Sequence, residues 1–368
     1  MRSWRRNAKN LSYSRVKTLI KKSAVPIGIF LVLLSGLTKL IWDFYRYENQ
    51  QLSLQRELID LQKEEIEAVR KGAWLSYMNQ LLDKLEEETA NHPERKLSKQ
   101  SITKIALLSQ SLEPETYHYV EGDSLKETDY SLERGHLLQR LILLNMHAES
   151  FQEIKKRTSF AKADLKNAQL ASQDLSGINL VSAQLKGANL SKTNLQEANL
   201  RGANLWGAEL VEADLSWASM NRANLAWANV EGASLVETVM EGTDLQAAKF
   251  IKSNMHCTLI RYAKVQGTIF DGADLSGAIV FGNDLTRASL RGTNLSGAHF
   301  GSAILVQTDL EGADFREAIL RDVKINDEKW FSKLEGWKVK GLAKIKETYE
   351  LRDDKSKTAR FYLKKLDD

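Results

Sequence analysis

From residue 160 a large apolar residue returns at every fifth position without a slip: Phe160, Leu165, Leu170, Leu175 and onward to Ile325. Those 34 positions hold 21 Leu, 5 Phe, 3 Met, 3 Val and 2 Ile. Two residues before each stands a small one, 21 Ala, 8 Thr and 1 Ser, with Gln173, Ile178, Asn283 and Val323 as the exceptions. A period of five fits neither regular element. On an α-helix it would smear the leucines around every face, and on one strand it would send them alternately up and down. A fixed short repeat instead requires a solenoid, in which each unit buries its apolar group by stacking on its neighbours. Two residues in five, one large and one small, then line a narrow interior, and three face outward.

The position before the large residue favours Asn and Asp, as in KADLK, KGANL and EGADF. This A-(D/N)-L-x-x motif over residues 158–327 resembles the pentapeptide-repeat family. The resemblance implies a right-handed quadrilateral β-helix with four pentapeptides per coil. The 34 units would make about 8.5 coils, a rod roughly 40 Å long at the spacing of stacked strands. The expected fold is therefore a β solenoid preceded by a transmembrane helix and a small helical region. Anchor, helical linker and repeat rod together also resemble membrane-tethered members of the family common in cyanobacteria.

Charge divides the rest of the chain. Residues 1–22 carry eight basic residues and no acid, and residues 158–327 carry 15 basic and 19 acidic. No central basic face suggests nucleic acid as a partner. After the basic tail (1–22), residues 23–42 read as a transmembrane helix. The segment 24–42 spans 19 positions, broken only by Lys39, whose ammonium is within reach of the interface. The basic tail places the N terminus in the cytoplasm and the repeat on the opposite side of the membrane. Residues 43–157 form a helical linker and N-terminal cap, with helices over 47–90, 101–112 and 131–147. Residues 328–368 form a C-terminal cap or amphipathic helix that closes the exposed end of the rod.

The sequence carries no catalytic signature. Asp164, Asp214, Asp244, Asp274 and Asp314 recur at one motif position, which points to side-chain bonds to the backbone at corners. An active site needs convergent, non-repeating groups. His256 and Cys257 are adjacent, but no further ligand or base is spaced to join them. A single cysteine excludes a disulfide framework. No catalytic residue, metal site or cofactor is expected, and the chain reads as a non-enzyme.

One surface column departs from the motif. Residues 20 apart stack in adjacent coils, and the sequence Asn179, Asn199, Ser219, Val239, Leu259, Ile279, His299, Ile319 turns from polar to apolar. Tyr262 and Phe281 flank it. Val239, Leu259, Ile279, Ile319, Phe281 and Tyr262 form the candidate interaction stripe, about 20 Å long at four strand spacings. Such a patch marks an interface unless the C-terminal segment folds back over it. Trp206 and Trp227 form a smaller aromatic patch on another face.

The expected function is a membrane-tethered, non-enzymatic scaffold or protein-interaction module. Its expected partners are one or more proteins at or near the membrane, the bilayer through residues 24–42, and a second copy of the chain. Two alternatives stand beside it. One is regulation of a membrane enzyme or transporter. The other is a DNA-mimic modulator of a topoisomerase, which the family resemblance suggests but the rod's weak net charge disfavours.

Overall fold

The computed structural model describes residues 72–354 and 359–366 except 122–123, with a few scattered positions before residue 72. The chain divides into two units, residues 1–74 and 75–368. In the first unit the described positions are helical.

The second unit begins with helix α1, residues 75–91. There follow α2 (Lys99–Ser111), a hairpin of β1 (Glu115–Glu121) and β2 (Ser124–Tyr130), α3 (Leu132–Leu143) and α4 (Ala148–Arg157). Serines 98 and 131 cap α2 and α3 by accepting from the N–H three residues on. Glu88 of α1 accepts from Ser98 N–H and Ser101 Oγ, both at 2.5 Å, and so ties α1 to the start of α2. Burial pushes the Glu88 carboxyl up, but these hydrogen bonds outweigh it and hold the group below its usual range. Leu82, Leu85, Ile105, Leu108, Leu137 and Leu141 are buried at the centre of this helical cluster.

From Ser159 the chain winds into a four-sided coil. Single-residue parallel bridges join the residue before each large one to its counterpart 20 residues on, from Asp164↔Gln184 to Ile304↔Lys324. Each side is one pentapeptide with its large residue at the centre. All 34 of those residues are buried, and each Leu or Phe contributes roughly 1.5–3 kcal/mol. Where phenylalanines stack, as at Phe250 and Phe270, the rings lie 5.4 Å apart and nearly parallel. The inward threonines are satisfied as well. Thr193, Thr238, Thr268 and Thr293 each donate Oγ1–H to the carbonyl of the large residue 23 positions earlier, at 2.7–2.9 Å. The recurring aspartates and asparagines accept from the backbone N–H two residues on, as Asp214 does from Ser216 and Asp274 from Ser276, both at 3.0 Å. Asparagine also donates to the coil before, Asn294 Nδ2 to Asp274 Oδ1 at 2.8 Å. Each such residue thus closes its own corner and bonds along its column.

Both ends are capped. At the start, Ser131 N–H donates to Lys162 O (2.7 Å) and Asp164 N–H to Ser131 O (2.9 Å), so the residue that caps α3 also pairs with the first coil. Helix α3 then lies directly on that coil at Gly135, where a Cβ would stand 1.9 Å from Asp164 O. Lys155 of α4 is buried, and its Nζ reaches Asp174 O at 2.9 Å and the Asp174 carboxylate at 3.5 Å. Burial lowers the Lys155 ammonium from its ordinary value, against the pull of Asp174.

At the far end, β3 (Lys324–Ile325), α5 (Trp330–Gly336), α6 (Leu342–Thr348), β4 (Tyr349–Asp353) and β5 (Phe361–Lys365) form the closing element, with an antiparallel sheet in the order β3-β5-β4. The last coil has no successor to accept its N–H groups, and the cap supplies the acceptors. Gly312 donates to Trp337 O, Phe315 to Lys340 O, Leu320 to Tyr349 Oη and Asp322 to Leu363 O, at 2.7–3.1 Å. The sheet edge that the ladder would otherwise expose is thereby paired.

One expectation is overturned and two are filled in. Residues 24–42 lie outside the described residues apart from Lys39 and Trp42. Among the described residues no helix is long and apolar enough to cross a membrane. Helix α1, for example, carries Asp83, Lys84, Glu86, Glu87 and Glu88 within two turns. The single-pass placement, with a cytoplasmic N terminus and the repeat across the bilayer, is therefore withdrawn, and with it the bilayer as partner. Second, within the segment expected as a helical linker and N-terminal cap, residues 115–130 hold a hairpin and 148–157 a further helix. Third, the C-terminal segment, expected as a cap or an amphipathic helix, holds two short helices and two antiparallel strands.

Candidate interaction surface

The side built from residues 178–182 and their repeats carries the apolar column. Val239, Leu259, Ile279, His299 and Ile319 follow one another through consecutive parallel bridges, so the column is a continuous ladder. Val239 and Leu259 are half-buried, while Ile279 and Ile319 are 40% and 46% exposed. The C-terminal segment closes the end of the coil and leaves these side chains uncovered.

Beside the column three rings form a row. Tyr262 meets Phe281 edge-on at 6.1 Å, and Phe281 lies 5.8 Å from His299. Their seats are glycines. A Cβ on Gly282 would touch the Tyr262 ring at 3.0 Å, and one on Gly301 would meet the Phe281 ring at 3.0 Å and His299 Nε2 at 3.1 Å. Gly301 does not have the positive φ of the turn glycines. Its backbone suits any residue, and what excludes a side chain there is the ring lying across it. Arg261 also stacks over Tyr262, 5.4 Å from the ring centre. Tyr262 is nonetheless 56% exposed.

Under Tyr262 the corner is built differently from its neighbours. In most other turns the small residue's N–H closes the turn onto the large residue three back, as Ala278 does onto Leu275 O at 3.0 Å. At residues 260–263 the buried side chain of Asn283 takes both groups. Its Oδ1 accepts from Ala263 N–H at 2.8 Å and its Nδ2 donates to Ile260 O at 2.6 Å. An asparagine from the next coil is inserted into the turn that presents Tyr262. Asn283 was visible in the sequence as an exception at a small-residue position. Its role was not, because only the coil geometry brings it opposite residue 263.

The second candidate patch is more divided. Trp206 takes Lys186 Nζ 4.5 Å over its ring, and Trp227, one coil on, is 66% exposed. Among the described residues no ring contact joins the two. Cys257 is exposed, with Sγ 3.3 Å from His256 Nε2, and His256 Nδ1 lies 2.9 Å from Ser276 Oγ. Among the described residues no group of acids, histidines and cysteine is arranged to hold a metal.

The bridge pattern and the inward ladder define a parallel β-solenoid of five-residue units. Residues 163–277 and 284–322 match the family model for pentapeptide repeats, in eight copies. The repeat region of this chain belongs to the pentapeptide-repeat family. No curated protein matches the chain. Similar solved structures include a pentapeptide repeat protein from the Arabidopsis thaliana thylakoid lumen, 29% identical, with TM-score 0.21, covering 30% of this chain and 70% of that one. HetL, a pentapeptide repeat protein involved in heterocyst differentiation regulation in Nostoc sp. strain PCC 7120, is 26% identical, with TM-score 0.20, covering 49% and 97%. QnrB1, a plasmid-mediated fluoroquinolone resistance protein, is 15% identical, with TM-score 0.21, covering 48% and 95%. At these TM-scores the likenesses carry no argument about function.

Proposed function

We propose that the chain is a non-enzymatic protein-interaction module whose repeat, a right-handed coil over 158–327 capped by the segments on either side, presents the Tyr262–Phe281 face to a protein partner. The observation that carries this reading is the ring row seated on Gly282 and Gly301 beside an uncovered apolar column. Exposed rings held in one place lose little freedom when they dock, so they suit a binding surface. Contiguous exposed apolar area of this kind is uncommon on a chain with no partner for it.

Mimicry of DNA is the weaker reading. The column at residue 174 and its repeats reads Asp174, Asn194, Asp214, Ser234, Asn254, Asp274, Asn294, Asp314, so a charge falls on about every second coil. DNA carries one per roughly 1.7 Å.

A photo-crosslinking residue at position 279, with the same residue at position 229 on the opposite side as control, tests the proposal in cells. A protein adduct from 279, absent from 229 and reduced by Tyr262→Ser, is the expected result. Equal adducts from both positions, or none from 279, would refute it.

A further inference from the structure

Toward the start of the solenoid, the face that carries the ring row continues into a groove of about 810 Å³. Arg201, Arg222, Glu241 and Tyr262 are among the residues lining it. The floor is open because the column through Arg222 reads Ser182, Gly202, Arg222, Gly242, Tyr262, so a long side chain alternates with glycine. Arg222 lies across the next glycine, its Cγ 3.6 Å from where a Gly242 Cβ would be. The neighbouring column reads Arg201, Asn221, Glu241, Arg261, Phe281. Asn221 is occupied, its Oδ1 accepting from Glu241 N–H at 3.0 Å.

The arginines in the groove differ from those elsewhere. Arg291 is paired with Asp309 and Glu311, Arg316 with Asp314, and Arg157 with Glu153. Arg201 and Arg222 are exposed, and among the described residues neither has an acid within salt-bridge reach. Along these two columns from residue 181 to 322, Arg201, Arg222, Arg261 and Arg321 stand against Glu241 and Asp322, and Asp322 already lies 3.7 Å from Arg321. Unpaired guanidinium forks one coil apart suit carboxylates, which they bind through paired hydrogen bonds.

We infer that this face binds a segment of a protein partner that is acidic at one end and apolar at the other, its carboxylates on Arg201 and Arg222 and its apolar side chains on the Tyr262–Phe281 row and the column beyond. The inference rests on the interaction reading above and assigns the chemistry of the partner. Glu241 sets the register. It repels a carboxylate placed past Arg222, and Arg261 one coil further on lies over the Tyr262 ring, so the acidic part is confined to the first two coils of the site. From the coil of Arg201 to that of Ile319 is six intervals, about 29 Å, which some nine residues span when extended.

The test is selection of random 12-residue peptides displayed on phage against the immobilised full chain. The expected result is enrichment of sequences with two or more Asp or Glu on one side of aromatic or aliphatic residues. A synthetic peptide from that set should bind the Arg201→Glu/Arg222→Glu variant at least about tenfold more weakly and lose affinity for the wild type as salt rises. Both arginines are exposed and unpaired, so the variant should fold, and circular dichroism checks this. Enriched peptides that lack acids, or acidic ones that bind the doubly reversed variant equally well, overturn the inference. If such peptides still depend on Tyr262 and Phe281, the interaction reading survives. No enrichment, or enrichment indifferent to Tyr262→Ser/Phe281→Ser, counts against both. Self-association of the chain in sedimentation, abolished by Arg201→Glu/Arg222→Glu, would make a second copy the occupant and overturn the partner segment.

Discussion

Replacing Gly135 by alanine should destabilise the protein, although the same change in an open helix stabilises it. Gly135 lies in the second turn of α3, and in an isolated helix alanine is favoured by about 1 kcal/mol. Here the added Cβ would stand 1.9 Å from Asp164 O and 2.8 Å from Asp164 C. Real Cβ contacts stay beyond about 3.0 Å, so α3 must retreat from the first coil by roughly 1.1 Å. A gap of that size forfeits a quarter to a half of the dispersion attraction across it. Leu138, three residues on and so on the same helical face as Gly135, loses it and is fully buried. Overpacking of this kind costs about 1–3 kcal/mol, and the lost contacts add about 1 kcal/mol. After the propensity gain, a net loss of roughly 1–3 kcal/mol remains. Gly336→Ala is the matched control, because Gly336 is also helical and a Cβ there meets nothing within 4 Å. Denaturant unfolding of both variants, with amide exchange across residues 131–190, makes the comparison. The Gly135 variant should lose stability and protection in the first coil, and the Gly336 variant should lose neither. Equal stability in the two would refute the claim that the helix is seated on the backbone of the coil.

Three further outcomes follow from the same geometry. Asn283→Ala should cost about 1–3 kcal/mol by leaving Ala263 N–H and Ile260 O without partners, whereas Asn283→Thr should cost less than the alanine change, since threonine bonds that carbonyl in other coils and leaves only the Ala263 N–H; thermal unfolding of the pair distinguishes them. The bond from Arg316 holds the Asp314 carboxyl below its usual range, with Lys340 adding a smaller charge effect. The stability it contributes is complete above the ordinary carboxylate value, near pH 4, and lost as pH falls through the lowered folded value. Asp314→Asn should therefore flatten the acid limb of a stability–pH curve, and an unchanged limb would count against the pairing. Removing residues 328–366 should leave the N–H groups of Gly312, Phe315, Leu320 and Asp322 without acceptors and cause end-to-end association, read by sedimentation velocity. A truncated chain that stays monomeric would show that the exposed edge is not adhesive.

The repeat was the legible part, because five-residue spacing leaves only a few ways to bury 34 large residues. It gave the inward ladder, the stacking at 20 residues and the column from Val239 to Ile319. The caps were legible only in part. Helices α2 and α3 have apolar faces that show at helical spacing. In α4 only Ile154 among the apolar residues is fully buried, and the other buried residues are Ser150 and the charged Lys155, so periodicity had little to register. The C-terminal element buries Trp330, Leu334, Ile345 and Leu363, the first three of which show in the sequence at helical spacing, but the backbone pairing that joins it to the last coil leaves no side-chain signature. The same limit hid the ring seats and the Asn283 insertion, which depend on which residues lie one coil apart at a corner. The sequence marked Asn283 as an exception without saying what it faces, and Gly301 did not stand out at all.

The coil also defines how such a chain can change length. Removing 20 residues deletes one storey and leaves every surface column in line. Removing five keeps each large residue inside but turns everything downstream by one side. Deletion of residues 231–235 would leave the core filled while rotating Ile279 and Phe281 away from Arg201 and Arg222. Insertions and deletions in this architecture therefore work like a combination lock, in which steps of five re-dial which residues share a face and steps of 20 only lengthen the barrel.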